Sequence, residues 1–137
     1  MSKILGYYSH QLNISSKREF EEYQNIKSRY KGIILNANKD IATPNPFEMN
    51  LYWRVIEQVN FIIVSAINGK IGRCSYYEVK QGLTQGIPVH EIYSVGRGFK
   101  YRKVIGLKIT SEKNLKKYAK LICVPIKNII SPKNNYK

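Results

Sequence analysis

The chain has 137 residues, 43 % of them hydrophobic, enough for one domain with a real core. Its longest apolar run, residues 61–67, is far too short to span a bilayer, and the opening Met-Ser-Lys-Ile-Leu-Gly lacks a signal peptide's apolar stretch, so a cytoplasmic protein without a membrane partner is expected. The formal charge of +14 is uneven: residues 1–94 hold 11 Lys+Arg against 8 Asp+Glu, a balance of +3, whereas residues 95–137 hold 12 against 1, a balance of +11.

Residues 4–8 predict a first strand, and the loop Ser9-His10-Gln11-Leu12-Asn13 follows it. Ser16 with Glu19 three residues on makes a capping box, after which Phe20, Tyr23, Ile26 and Tyr30 recur at helical spacing until Gly32 stops the helix. Ile33-Ile34-Leu35 reads as a second buried strand, and residues 36–45 as a polar loop. Asn45-Pro46-Phe47-Glu48 then offers an N-cap, a proline at the first helical position and a glutamate at the third, with Leu51, Val55 and Val59 as the buried stripe.

Residues 61–66 predict a third strand, residues 75–83 the next helix, and Gly86-Ile87-Pro88-Val89 the start of a fourth strand. Further on, residues 104–109 predict a strand, and Ser111 caps a helix carrying Leu115, Tyr118 and Ile122. Strands that are apolar on both faces and alternate with helices argue for a mostly parallel sheet with right-handed crossovers. One α/β domain is expected over residues 1–130, its basic third starting near residue 95, with residues 131–137 as a flexible tail.

Cys74 and Cys123 are isolated and the only histidines are His10 and His90, so no clustered metal ligands exist and neither a metal nor a disulfide is expected. Cys74 just before a helix start reads as a small residue or as a thiol of lowered pKa. His10 and His90 read as structural or solvated histidines, or as acid–base groups. Gly69-Lys70-Ile71-Gly72-Arg73 has the glycines and cations to admit a phosphate but lacks the P-loop order, and reads equally as an exposed turn. Arg97-Gly98-Phe99-Lys100-Tyr101-Arg102-Lys103 interleaves cations with aromatics, a composition suited to nucleic acid, or to a solvated basic loop.

Ser75-Tyr76-Tyr77-Glu78 has two readings. As a capping box, Glu78 reaches back to the serine's backbone N–H. As a site, the carboxylate opens a helix at the carboxyl edge of the sheet, where open α/β sheets bind ligands, and an ionised, oriented carboxylate is what glycosyl transfer needs as its nucleophile.

The stretch from Glu48 to Ile92 resembles the nucleoside 2-deoxyribosyltransferase superfamily, including its deoxynucleoside-monophosphate N-glycosidase branch. The resemblance lies in a helix beginning near Asn50-Leu51, the strand Asn60-Phe61-Ile62-Ile63-Val64, a glycine-containing loop, Tyr77-Glu78 opening a helix, and Gly86-Ile87-Pro88-Val89 on the next strand. It implies a flavodoxin-like, Rossmann-like three-layer sandwich, a homo-oligomer, no separate cofactor, and Glu78 as the catalytic residue that attacks the anomeric carbon. By the same resemblance Tyr7, Tyr8, Ser9 and His10 line the substrate pocket, joined by Asn50, Gly72 and Ser75. The family commonly has aspartates where this chain has Asn50 and Asn60, and Gly72-Arg73-Cys74-Ser75 replaces its Asp/Ser-Gly-Thr-like loop.

The expectation is a nucleoside- or nucleotide-binding protein that cleaves or transfers an N-glycosidic bond through Glu78. The alternative is a non-catalytic module that binds a nucleotide, or nucleic acid nonspecifically, through Arg97, Phe99, Lys100, Tyr101, Arg102 and Lys103. The Lys, Ile, Asn and Tyr content suits an AT-rich, viral genome.

Overall fold

The computed structural model describes residues 5–10, 14–30, 32–36, 56–110 and 119–126. In chain order these form β1 (Leu5–Ser9), α1 (Ser16–Arg29), β2 (Ile33–Asn36), β3 (Phe61–Ser65), β4 (Lys70–Ile71), α2 (Arg73–Thr84), β5 (Val89–Val95), β6 (Gly98–Ile109) and β7 (Ala119–Pro125). The strands make one seven-stranded sheet in the order β2-β1-β3-β5-β6-β7-β4.

The first four strands of that order are parallel, as the alternating pattern predicts. The remainder corrects the expectation of a mostly parallel sheet, because β5, β6, β7 and β4 pair antiparallel. The reason is local: β5 turns back at Gly96, whose φ of +60° needs no Cβ penalty there, so a hairpin follows where a crossover would otherwise start. Of the segment read as a basic loop, residues 98–103 are thus the first half of the long strand β6. Ile122, expected on a helix, lies on β7, while Leu115, Tyr118, Asn50, Leu51, Val55 and the 131–137 tail lie outside the described residues.

Side chains alternate across each strand, so two cores form on opposite faces. Tyr7, Ile62, Val64, Val89, Val104 and Leu121 meet Tyr76 and Val79 of α2, whereas Tyr8, Phe61, Ile63 and Ile92 meet Ile26 and Tyr30 of α1. Ile56 and Val59 also enter the α2-side core, ahead of β3.

Two helix starts differ from the sequence reading. The N-cap of α1 is Ser15, whose hydroxyl accepts from the Arg18 N–H at 3.2 Å, one residue before the Ser16 box. The N-cap of α2 is Gly72, with no side-chain cap, so the helix opens two residues before Ser75. The preceding Asn68-Gly69 turn has both φ values positive, +55° and +76°, with paired Ile67 and Lys70 backbone bonds. Such a two-residue hairpin matches strand twist and returns the chain as β4, a short strand unseen in the sequence.

Candidate active site around Glu78

With α2 capped at Gly72, Glu78 sits in the second turn of the helix, past the free N–H groups that stabilise an anion. The expected helix-end stabilisation and Ser75–Glu78 capping box are therefore both absent. Glu78 instead turns toward the sheet. Its Oε1 accepts from the Ser9 hydroxyl at 2.6 Å and its Oε2 from the Tyr7 hydroxyl. Tyr7 and Ser9 are two apart on β1, so the pleat places both on the α2 side, and β1 adjoins β3 at the point where the parallel strand order reverses.

Burial dominates this carboxyl, which is only 2 % exposed. Loss of water pushes its pKa from the ordinary 4.5 up to about 7, against the opposing pull of the Ser9 and Tyr7 hydrogen bonds. The group is thus poised between its neutral and ionised forms near neutral pH, unlike an exposed glutamate. Ser75, one turn earlier and on the same helix face, is 1 % exposed, and its hydroxyl has no hydrogen-bond partner among the described residues.

The expected pocket residues do not converge. Tyr8 and His10 alternate with Tyr7 and Ser9, so they lie on the α1 side of the sheet, away from Glu78. There Tyr8 donates to Glu22 at 2.6 Å, and His10 Nε2 stands 2.9 Å from Asn36 Oδ1 and 3.2 Å from Glu19. Arg18 completes this network, binding Glu22 at 3.1 Å, the Ser65 hydroxyl at 3.1 Å and the Ala66 carbonyl at 2.6 Å. It ties the carboxyl ends of β1 and β3 to α1. Arg18, Glu22, Asn36 and Ser65 belong to no motif in the sequence, although the serine ending the otherwise apolar Phe-Ile-Ile-Val strand is a usable signal.

Gly72, half-buried, serves as the α2 cap. His90 is buried beside the Tyr30 hydroxyl at 3.3 Å, and burial, then Arg29 and Lys103, lowers its pKa to about 4, so it is neutral at physiological pH. Cys74 and Cys123 form no disulfide; Cys74 is exposed, and burial beside Glu91 pushes the Cys123 thiol up to about 12, which leaves it unreactive. Among the described residues no group of three His, Cys, Asp or Glu could hold a metal ion. Among them, no helix is long and apolar enough to cross a membrane.

The Arg97–Lys103 cations and aromatics are divided by the β6 pleat. Phe99 and Tyr101 pack against the α1-side core, with the Tyr101 hydroxyl donating to Asn25 at 2.7 Å. Lys103 projects on that same side, while Lys100 and Arg102 alternate to the other. Arg102 is bound to the buried Glu91 at 2.6 Å and lies 4.4 Å from the Tyr93 ring centroid. Arg97 is exposed in the hairpin turn. The aromatics expected to stack on bases are thus committed to the core.

Comparison with protein-family models, curated proteins and solved structures gives no match for this chain.

Proposed function

We propose that this protein binds a nucleoside or nucleotide and breaks its N-glycosidic bond through Glu78, as the resemblance to nucleoside 2-deoxyribosyltransferases implies. The supporting observation is the buried Glu78 carboxyl held by two β1 hydroxyls, Tyr7 and Ser9, from about seventy residues earlier. The parallel strands β2-β1-β3-β5 have the order with which a flavodoxin-like fold begins, which supports the same reading.

In this reading the ionised Glu78 oxygen forms a bond to the anomeric carbon as the C–N bond breaks, and the base nitrogen keeps the bonding pair and takes a proton from solvent, which the later hydrolysis returns. Water then resolves the glycosyl ester to free sugar and restores the carboxylate, or a second base attacks and transfer results. Tyr7 and Ser9 aim the carboxylate, and Ser75 offers its unpartnered hydroxyl to a sugar hydroxyl or phosphate. At 2 % exposure the carboxyl meets a substrate only after surrounding side chains part.

The test is a panel of deoxynucleosides and their 5′-monophosphates, assayed chromatographically for free base, with a 2-fluoro sugar analogue to trap the ester for mass spectrometry. Wild type is expected to release base and form the adduct. Glu78→Gln retains the fold by circular dichroism but does neither. A panel giving no base and no adduct leaves Glu78 as a structural link between α2 and β1.

A further inference from the structure

The last three strands carry a feature that the Glu78 site does not use. Lys70 of β4 is paired directly with Lys120 of β7, and Lys120 directly with Lys108 of β6. Residues paired this way project on the same side of a sheet, so the three lysines form one row across three strands, about 5 Å per step. The next row, Ile71 with Ala119, turns to the opposite side and is fully buried in the α2-side core. The lysine row therefore stands on the α1 side.

Lys108 and Lys120 are exposed and Lys70 is half-buried. Ile122 and Val124, which alternate with Leu121 and Cys123 and so share the face of Lys120, are 43 % and 36 % exposed. Lys103, opposite Val124 in register, is also exposed and extends the cationic strip along β6. None of the described carboxylates belongs to β4, β6 or β7, and the one on β5, Glu91, is buried with Arg102. Like charges placed opposite one another on a sheet cost stability.

We propose that this face binds the backbone of single-stranded nucleic acid, with successive phosphates on the Lys108–Lys120–Lys70 row and on Lys103. A row about 10 Å long suits a chain of phosphates better than a single anion. Ile122 and Val124, exposed between the cations, give the sugars and unstacked bases an apolar surface, which a duplex with its bases paired inside cannot use. The site is separate from Glu78, which lies on the other side of the sheet.

The experiment measures anisotropy of a short labelled oligothymidylate with the full chain over a salt series. Binding is expected to weaken linearly in log–log form, with a slope of about −0.7 per phosphate neutralised. The variant Lys108→Gln/Lys120→Gln should bind about tenfold more weakly at low salt, with a slope shallower by about 1.4. Lys108→Glu should weaken binding further yet raise the melting temperature, because it places an acid opposite Lys120, which separates lost binding from lost folding. A control, Lys17→Gln/Lys80→Gln on the exposed faces of the helices, should retain affinity. No binding at low salt, an unchanged double variant, or an equal loss in the control would overturn the proposal. A blunt duplex binding as tightly as the single strand would overturn the assignment to single strands.

Discussion

Replacing Glu78 by glutamine removes a titrating group whose linkage to stability can be worked out from its surroundings. Folded, Glu78 keeps its proton up to about pH 7; unfolded, it loses the proton near 4.5. Over that interval the folded chain binds more protons, so the stability that Glu78 contributes is fully present below pH 4.5 and is lost as the pH rises through about 7. At 1.36 kcal/mol per pH unit, the loss comes to about 3 kcal/mol.

His90 acts in the opposite direction. Its folded pKa is lowered from 6.5 to about 4, so its contribution is present above pH 6.5 and lost as the pH falls through about 4. Between pH 4.5 and 6.5 the two slopes cancel in the wild type, and Glu78→Gln leaves the His90 slope uncompensated. Urea unfolding followed by far-UV circular dichroism from pH 4.5 to 7.5 is the assay. The unfolding free energy of Glu78→Gln minus that of wild type should rise by about 3 kcal/mol across that range. All other titrating groups cancel in this difference. A difference independent of pH would refute the argument, since it would mean that Glu78 titrates alike in both states.

Gly6 lies in register with Phe61, and a Cβ built on it would stand 2.3 Å from the Phe61 Cζ, inside a rigid ring already packed on Tyr30. Gly6→Ala should therefore cost about 1–3 kcal/mol in urea unfolding, as overpacking does. Gly82→Ala should cost clearly less, because its one close approach is to the flexible Cδ1 end of Ile62, Val89 Cγ2 standing at an ordinary 3.4 Å, and it gains about 1 kcal/mol of helix propensity; equal losses would contradict this distinction. Light scattering at tens of micromolar should give at least a dimer's mass, as the family resemblance implies, and a monomer's mass would remove that expectation.

Local pattern determined much of the N-terminal half. The apolar runs of β1, β2, β3 and β5 and the periodic stripe of α1 are short-range signals, and strands alternating with helices leave few arrangements other than parallel pairing. Glu78 could be singled out because its segment reads as a helix start that follows a strand, whereas Tyr7 and Ser9 entered through the family resemblance alone, together with Tyr8 and His10.

Tertiary structure decided which of these residues meet. A capping box is a local bond, and Ser75–Glu78 satisfies its sequence rule, but starting α2 at Gly72 carried Glu78 past the first turn and into reach of β1. The one-residue alternation of β1 then divided Tyr7 and Ser9 from Tyr8 and His10, a separation that depends on having a sheet with two covered faces. Beyond Val95, the strand expected over residues 104–109 is the second half of β6, but the cations before and after it read as a loop and a helix, because lysine-rich segments are weak strand formers by propensity. Long-range pairing of β6 with β5 and β7 overrode that preference. The same pairing set Lys108, Lys120 and Lys70 in one row from three segments, a coincidence of register that no stretch of the sequence contains.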